Sequence, residues 1–182
     1  MTGFAIHRSI PLTQGRVAWV DQADYAELAR FRWSADACRT GFYAKRNTGT
    51  VGIDRTSEYM HRRILGLLPG DGLVADHING DGLDNRRTNL RVATVAGNSY
   101  NMRHRSGKTS RYKGVSWSTR RSHWVVQIRG FAGPSRYLGS FADEEDAARA
   151  YDQEAVKRFG EFARVNFPGG IAVAGAGRQA VA

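Results

Sequence analysis

At 182 residues the chain is long enough for one ordinary domain or two small ones. Its lone cysteine, Cys38, excludes a disulfide framework and any cysteine-rich zinc site, and no apolar run approaches the roughly 20 residues that span a bilayer. The net charge of +10 is unevenly placed: residues 85–142 hold twelve Lys or Arg and no Asp or Glu, where a solvated surface would mix signs, so the stretch asks for a polyanion.

The opening MTGFAIHRSIPLTQ lacks the charged start and apolar stretch of a secretory signal, so an intracellular site is expected. Residues 10–12 and 16–20 flank Gln14-Gly15, a pair that predicts a short hairpin turn. Asp21 or Asp24 is placed to cap a short helix over 25–30, with Leu28 and Phe31 facing inward. Trp33, Tyr43 and Tyr59 fall in strand candidates separated by the turn-rich 47–52, and read as core aromatics rather than ligand stackers. A short helix over 61–67 stops at Pro69-Gly70. Residues 73–77 are a short apolar strand candidate. The Gly-, Asn- and Asp-rich 79–89 has no periodicity and reads as a loop. Leu90, Val92 and Val95 support a second strand, and 96–105 suits a helix. RSGKTS, residues 105–110, carries no apolar anchor and reads as a linker.

From Tyr112 the pattern predicts three strands and a helix. Trp124, Val126 and Ile128 alternate with Val125, Gln127 and Arg129, giving one apolar and one partly polar face. The neighbouring strands are 114–118 and 136–141. The helix starts after Asp143, whose side chain can cap it, and Glu144, Glu145 and Asp146 suit the positive end of its dipole. Ala147, Ala148, Tyr151, Ala155 and Phe159 form its apolar stripe, Lys157 and Arg158 suit its C-terminal end, and Gly160 stops it. Confining the acids to the helix leaves the sheet's outer face basic. Tyr112, Trp117, Trp124 and Tyr137 interleave with the cations and no basic amphipathic helix accompanies them, which favours nucleic acid over a membrane. The tail 169–182 is small-residue and expected to be disordered. The fold class is α+β.

The segment VADHINGDGLDNRRTNLRVATVAGNSYN, residues 74–101, holds Asp76, His77 and five asparagines. Adjacent side chains on a strand diverge, so Asp76 and His77 can face different partners. A histidine held by a neutral amide stays neutral near pH 7 and can take a proton from water, worth about 10²–10⁴-fold in rate. One Asp with one Asn suits a single Mg²⁺ that takes substrate phosphate oxygens as further ligands. These are the needs of phosphodiester cleavage. A calcium-binding helix–loop–helix fails on spacing, because the third and sixth positions counted from Asp76 are Ile78 and Asp81. His61, His77 and His104 are too scattered for zinc. An Asn/Gly-rich turn region with an incidental histidine remains the bland alternative.

HRRILGL and DHINGDGLDNRRTNLR resemble the HNH (His-Me finger, ββα-metal) endonucleases, of the kind found in phage and intron-encoded homing enzymes, over roughly residues 61–105. The resemblance implies that Asp76 is a metal ligand and His77 the general base. Asn89 would pin the loop and orient the imidazole. Asn98 would be the second ligand, with Asn101 one helical turn on as its alternative. This sequence has Asn where many members carry a final His, and the zinc-binding cysteine pairs of some relatives are absent. His61 and Arg62 match the lead-in and are candidates for packing or phosphate contact. Asn85 and Arg86 would shape the loop, Arg86 also being a candidate for phosphate. The cofactor implied is one Mg²⁺ (or Mn²⁺) per active site.

Residues 112–168, from YKG through the WV pair, LGSF and AARAYD to NFP, resemble the DNA-binding domain of plant APETALA/ethylene-response-factor regulators. That family implies a three-stranded antiparallel sheet laid in the major groove with a helix behind it. Lys113, Gln127, Arg129 and Tyr137 fall on its DNA-contact positions, and Trp117 and Arg120 join them as candidates. Ser116 and Ser118 stand where plant members usually have Arg, so plant target sequences do not transfer. Arg120 and Arg121, in the strand turn, suit phosphate.

The residue patterns and the two resemblances together predict an N-terminal α/β region over 1–60, part of or accessory to the nuclease, and an HNH module over 61–105. A linker over 106–111, a DNA-binding domain over 112–168 and a disordered tail over 169–182 follow. The expected activity is metal-dependent cleavage of double-stranded DNA, of phage or homing type, in the cytoplasm of a bacterial or phage-infected cell. No membrane and no protein partner is expected. A monomer would nick and a homodimer would cut both strands. The alternative is a sequence-specific transcriptional regulator with an inactive nuclease module.

Overall fold

In the first hairpin, β1 (His7–Pro11) and β2 (Val17–Asp21) pair antiparallel, with Ile10 opposite Ala18 and Arg8 opposite Val20. The turn lies at the expected pair: Gln14 and Gly15 both have positive φ, +63° and +64°, a conformation that closes tight hairpins. The computed structural model describes residues 7–38, 41–51, 53–101, 109–130 and 133–169, which fall into two units, the first ending at Asn98 and the second beginning at Ser99.

Period-2 burial runs through the first hairpin, where Ile10, Ala18 and Val20 point inward while Val17 and Trp19 stay exposed. A helix, α1 (Gln22–Leu28), follows directly and buries Leu28. Next comes an antiparallel meander of β3 (Ser34–Cys38), β4 (Gly41–Thr48) and β5 (Thr56–Tyr59). The helix α2 (Met60–Ile64) is shorter than the expected 61–67, because Gly66 turns the chain at φ +67°. Then β6 (Leu73–His77) pairs antiparallel with β7 (Leu90–Thr94), and α3 (Val95–Tyr100) completes a strand, loop, strand, helix run. Ile10, Val20, Leu28, Trp33, Met60 and Leu90 belong to one apolar cluster, so hairpin, meander, α2 and β7 share a core. At about 25 cal/mol per Å² of apolar surface, that shared burial is the main stabilising term.

In the second unit β8 (Val115–Ser118), β9 (His123–Ile128) and β10 (Arg136–Phe141) form an antiparallel sheet in the order β10-β9-β8. Helix α4 (Glu144–Phe159) packs on it through Ala147, Ala148, Tyr151 and Ala155, which are buried with Val115, Val126 and Ile128. The Asp143 carboxylate accepts from the Glu145 and Asp146 N–H groups at 2.7 and 3.0 Å, as the sequence leads one to expect of an N-cap. Asp152, by contrast, is a fully buried acid that the apolar stripe does not announce. It accepts from the Asn166 backbone N–H and side-chain amide, and from the Phe167 N–H, at 2.7–2.9 Å. Residues 102–108, the expected helix end and most of the linker, lie outside the described residues, as does the tail from 170. Ser110, at the linker's end, is buried and donates to Glu144.

Gly114 leads into this sheet at φ +81°, its carbonyl accepting from the Gln127 N–H at 2.8 Å. A Cβ there would fall inside the Tyr151 ring and 2.8 Å from the Gln127 oxygen. Overpacking and a left-handed backbone add, so Gly114→Ala should cost about 2–5 kcal/mol. Urea unfolding followed by tryptophan fluorescence reads that loss.

Candidate functional site

The loop between β6 and β7 has no sheet ladder to satisfy its backbone, and amide side chains do that work instead. Asn79 Oδ1 accepts from the Asp81 N–H at 2.7 Å and Asp81 Oδ1 from the Leu83 N–H at 3.0 Å, two successive turns closed by side chains. Asn89 reaches across the loop. Its Oδ1 accepts from the Asn79 N–H at 3.0 Å, its Nδ2 donates to the Asp84 carbonyl at 2.7 Å, and its own carbonyl accepts from the Ile78 N–H at 2.9 Å. Asn79 Nδ2 and the Arg86 guanidinium both bind the Asp84 carboxylate, at 2.9 and 2.6 Å.

The N-terminal hairpin grips the same loop. The Trp19 N–H donates to the Leu83 carbonyl and the Asn85 N–H donates to the Trp19 carbonyl, each at 2.8 Å, so the edge of β2 runs alongside residues 83–85. On the other side Gly82 passes β4 so closely that a Cβ would strike the Phe42 carbonyl and the Tyr43 ring. Arg87 ties the loop's end to α1. Its N–H donates to Asp21 Oδ2 at 2.8 Å, and its guanidinium binds Asp24 at 2.7 and 2.9 Å. That is why Asp21, at the N-cap position of α1, makes no side-chain cap bond there.

His77 ends β6 and is 5% exposed, and the fully buried Asn85 sits beside its ring with Oδ1 3.3 Å from Nε2. Asn85 Nδ2 donates to the Leu83 carbonyl at 3.2 Å, which fixes the amide with its oxygen toward the histidine. An amide oxygen only accepts, so Nε2 carries the proton and Nδ1 is the ring's basic nitrogen. Burial holds the His77 pKa below the ordinary histidine value, and the Asn85 contact and the Asp76, Asp81 and Asp84 charges oppose it. The ring packs in an aromatic nest. Tyr43 lies 5.7 Å from it and His61 meets it edge-on at 5.0 Å, while His61 stacks on Tyr59 at 5.4 Å and 20°. Burial, with the His77 and Arg62 charges, pushes the His61 pKa down to about 3, and among the described residues its Nδ1 is a buried nitrogen without a hydrogen-bond partner.

Asp76, one residue earlier, is 4% exposed, and its partner is opposite it in the ladder. Arg91 Nε and Nη2 both donate to Asp76 Oδ2, at 2.8 and 2.6 Å. Asn98 lies half-buried on α3, past a first turn where Thr94 Oγ1 accepts from the Gly97 N–H at 3.1 Å. Among the described residues no side-chain hydrogen bond engages the Asn98 amide. A carboxylate and an unengaged amide oxygen are hard donors that fit Mg²⁺ or Mn²⁺, and among the described residues no cluster of three His, Cys, Asp or Glu forms a fuller cage. Asn101, the alternative ligand, is buried.

The other expected site residues divide by how they are held. Arg62 donates to the Leu68 and Leu73 carbonyls and pairs with Asp71, clamping the turn after α2, Arg86 is engaged by Asp84, and His61 lies under the tyrosines. The amide at the His77 ring nitrogen is that of Asn85, while Asn89 holds the loop. The Arg91 pairing went unread in the sequence, although its signal was there: strands ending at His77 and resuming at Leu90 put Asp76 opposite Arg91.

In the second unit the register sets Ser116 opposite Val125 and Tyr137 opposite Gln127, so the face away from α4 presents Gln127, Arg129 and Tyr137, all exposed. Arg121 Nη1 donates to Tyr137 Oη at 3.0 Å and its guanidinium lies 5.4 Å from that ring. Arg120 and Arg129 have no ion pair among the described residues. Trp117 is opposite Trp124 on the helix side, the rings meeting at 5.1 Å and 68°, so it is on the face away from Gln127. Lys113 is turned inward. Its Nζ donates to the Tyr100 carbonyl at 2.7 Å, and burial lowers its pKa to about 8.

Residues 59–100 match the family model described as HNH endonuclease. An uncharacterized HNH endonuclease of Acanthamoeba polyphaga mimivirus is 27% identical over 154 residues, 84% of this chain and 76% of that protein. Protein 3.8 of Escherichia phage T7 is 43% identical over 53 residues, 29% of this chain and 44% of the phage protein. A rice AP2/ERF and B3 domain-containing protein is 46% identical over 68 residues, 37% of this chain and 18% of its own length. The chain thus spans three quarters of the mimiviral relative, under half of the phage protein and less than a fifth of the plant one.

His61 gives the unit a measurable acid sensitivity. Its pKa of about 3 in the fold lies below the ordinary 6.5, so below pH 6.5 the unfolded chain takes the proton and the folded one does not. Stability is full above 6.5 and falls as the pH is lowered through the window from 6.5 toward 3. Relative to His61→Phe, which keeps the stacked ring, the natural chain should lose about 2 kcal/mol between pH 7 and pH 5 in urea unfolding.

Proposed function

We propose that this chain, a nuclease hydrolase of the HNH type through its domain at residues 59–100, is a divalent-metal-dependent endonuclease of phage or homing type that cuts double-stranded DNA. Target recognition falls to the outer face of the β8–β10 sheet. The observation that carries this reading is the neutral, oriented imidazole of His77 beside the carboxylate of Asp76.

His77 Nδ1 takes a proton from the water that attacks phosphorus in line with the departing 3′-oxygen, a step worth about 10²–10⁴-fold. The imidazolium so formed sits in the field of the Asp76, Asp81 and Asp84 carboxylates, which favours it. Asn85 keeps the ring in the useful tautomer, and Asn89 keeps the loop that carries Asn85. Asp76 and Asn98 would hold one Mg²⁺ or Mn²⁺, which supplies positive charge at the phosphate and leaving oxygens when bound. The products are a 5′-phosphate and a 3′-hydroxyl. Gln127 and Arg129 suit base edges, and Arg120 suits phosphate. Among the described residues no helix is long and apolar enough to cross a membrane.

Relaxation of supercoiled plasmid tests the reading. With Mg²⁺ the natural chain should nick and EDTA should stop it. His77→Ala should lose about 100-fold or more of the rate while keeping gel-shift affinity. Arg129→Ala should weaken gel-shift binding and flatten its salt dependence if Arg129 meets phosphate, or relax base preference without changing the salt slope if it reads a base. Binding with no nicking across several duplexes and divalent metals would make the protein a DNA-binding regulator instead.

A further inference from the structure

We propose that Arg91 is a resident counter-ion for the cation site: it holds Asp76 while no metal is bound and keeps the DNA-free protein a weak binder of divalent cations. The inference rests on the reading of Asp76 and Asn98 as ligands.

The geometry is that of a committed ion pair. Arg91 and Asp76 face each other across β6 and β7, two guanidinium nitrogens converge on one carboxylate oxygen, and the two side chains are only 12% and 5% exposed. Neighbouring arginines have acids of their own that are not ligand candidates: Arg62 has Asp71, Arg86 has Asp84 and Arg87 has Asp24. Arg91 is aimed at the proposed ligand itself. With Asn98 neutral, the donor set and its counter-ion then carry no net charge. A dication entering that site meets a positive group already in contact with its one anionic donor, in surroundings that screen poorly. A DNA phosphate brings negative charge to the cation and offers the guanidinium a second acceptor, so cation loading becomes tied to substrate arrival.

The rival role for Arg91 has the opposite sign. A donor that merely orients a ligating carboxylate strengthens the metal site, and removing such a group weakens binding by about 10–100-fold. Titration of the full-length, DNA-free protein with Mn²⁺, free ion counted by electron paramagnetic resonance at pH 7.5, separates the two. Arg91→Met should bind Mn²⁺ about 10-fold more tightly than the natural chain, on the scale of one charge-assisted hydrogen bond. Arg91→Lys keeps the charge and protects the fold while losing the two-nitrogen grip, and should tighten binding by about threefold. Equal or weaker binding in folded Arg91→Met, or in Arg91→Lys should the Met variant not fold, overturns the proposal and leaves the metal-site reading standing. Asp76→Ala should abolish binding in every background. If Asp76→Ala binds like its parent, the ligand assignment fails and the proposal with it.

Discussion

A loop that lacks a sheet ladder and packs against its neighbours needs other partners for its backbone polar groups, and that constraint organises the first unit. The chain between β6 and β7 answers it with Asn79, Asp81, Asn85 and Asn89, each bonded to a main-chain group of the loop. Unmade bonds at buried backbone groups cost about 1–3 kcal/mol each, so loss of one amide would loosen the whole arrangement. The imidazole inherits its rigidity from this source. Asn85 orients His77, and Asn85 is itself fixed by Leu83 and Trp19.

The same tension between burial and polarity explains the pile of rings behind the histidine. His77 must lose most of its hydration to be held still, and desolvation favours its neutral form. His61, Tyr43 and Tyr59 provide that dry wall, and Tyr59 is anchored in turn by donating to Asp36 at 3.0 Å. Tyr43 and Tyr59, expected from sequence to be core aromatics, are half-buried: Tyr43 borders the candidate catalytic residue and Tyr59 stacks on His61 behind it.

Local rules made several elements legible. The period-2 run at Trp124–Ile128, the capping Asp143 and the closing Gly160 each state their structure within a few residues, because strand faces and helix ends are set by nearest neighbours. Partners across the chain were less visible. Asn85 and Asn89 offer the same chemistry, and which one meets the imidazole depends on how β2 bends the loop. Lys113 looks like a phosphate contact until its amine is seen on the Tyr100 carbonyl. Asp152 sits among alanines on the buried face of α4 and would be an error in that pattern, were it not for the Asn166–Phe167 backbone folding back onto it. In each case a long-range acceptor or donor, absent from any local window, decides where the polar side chain goes.

The edge of β2 has a consequence for what counts as the catalytic module. The segment that carries the family likeness starts at residue 59, yet two of the main-chain bonds that shape its loop come from Trp19, and Asp21 and Asp24 latch its far end. A fragment trimmed to the recognisable motif would keep every candidate ligand and the candidate general base while shedding the main-chain and side-chain partners that position them. The folded unit that positions the candidate site therefore includes the first hairpin, and the motif alone is a part rather than a machine.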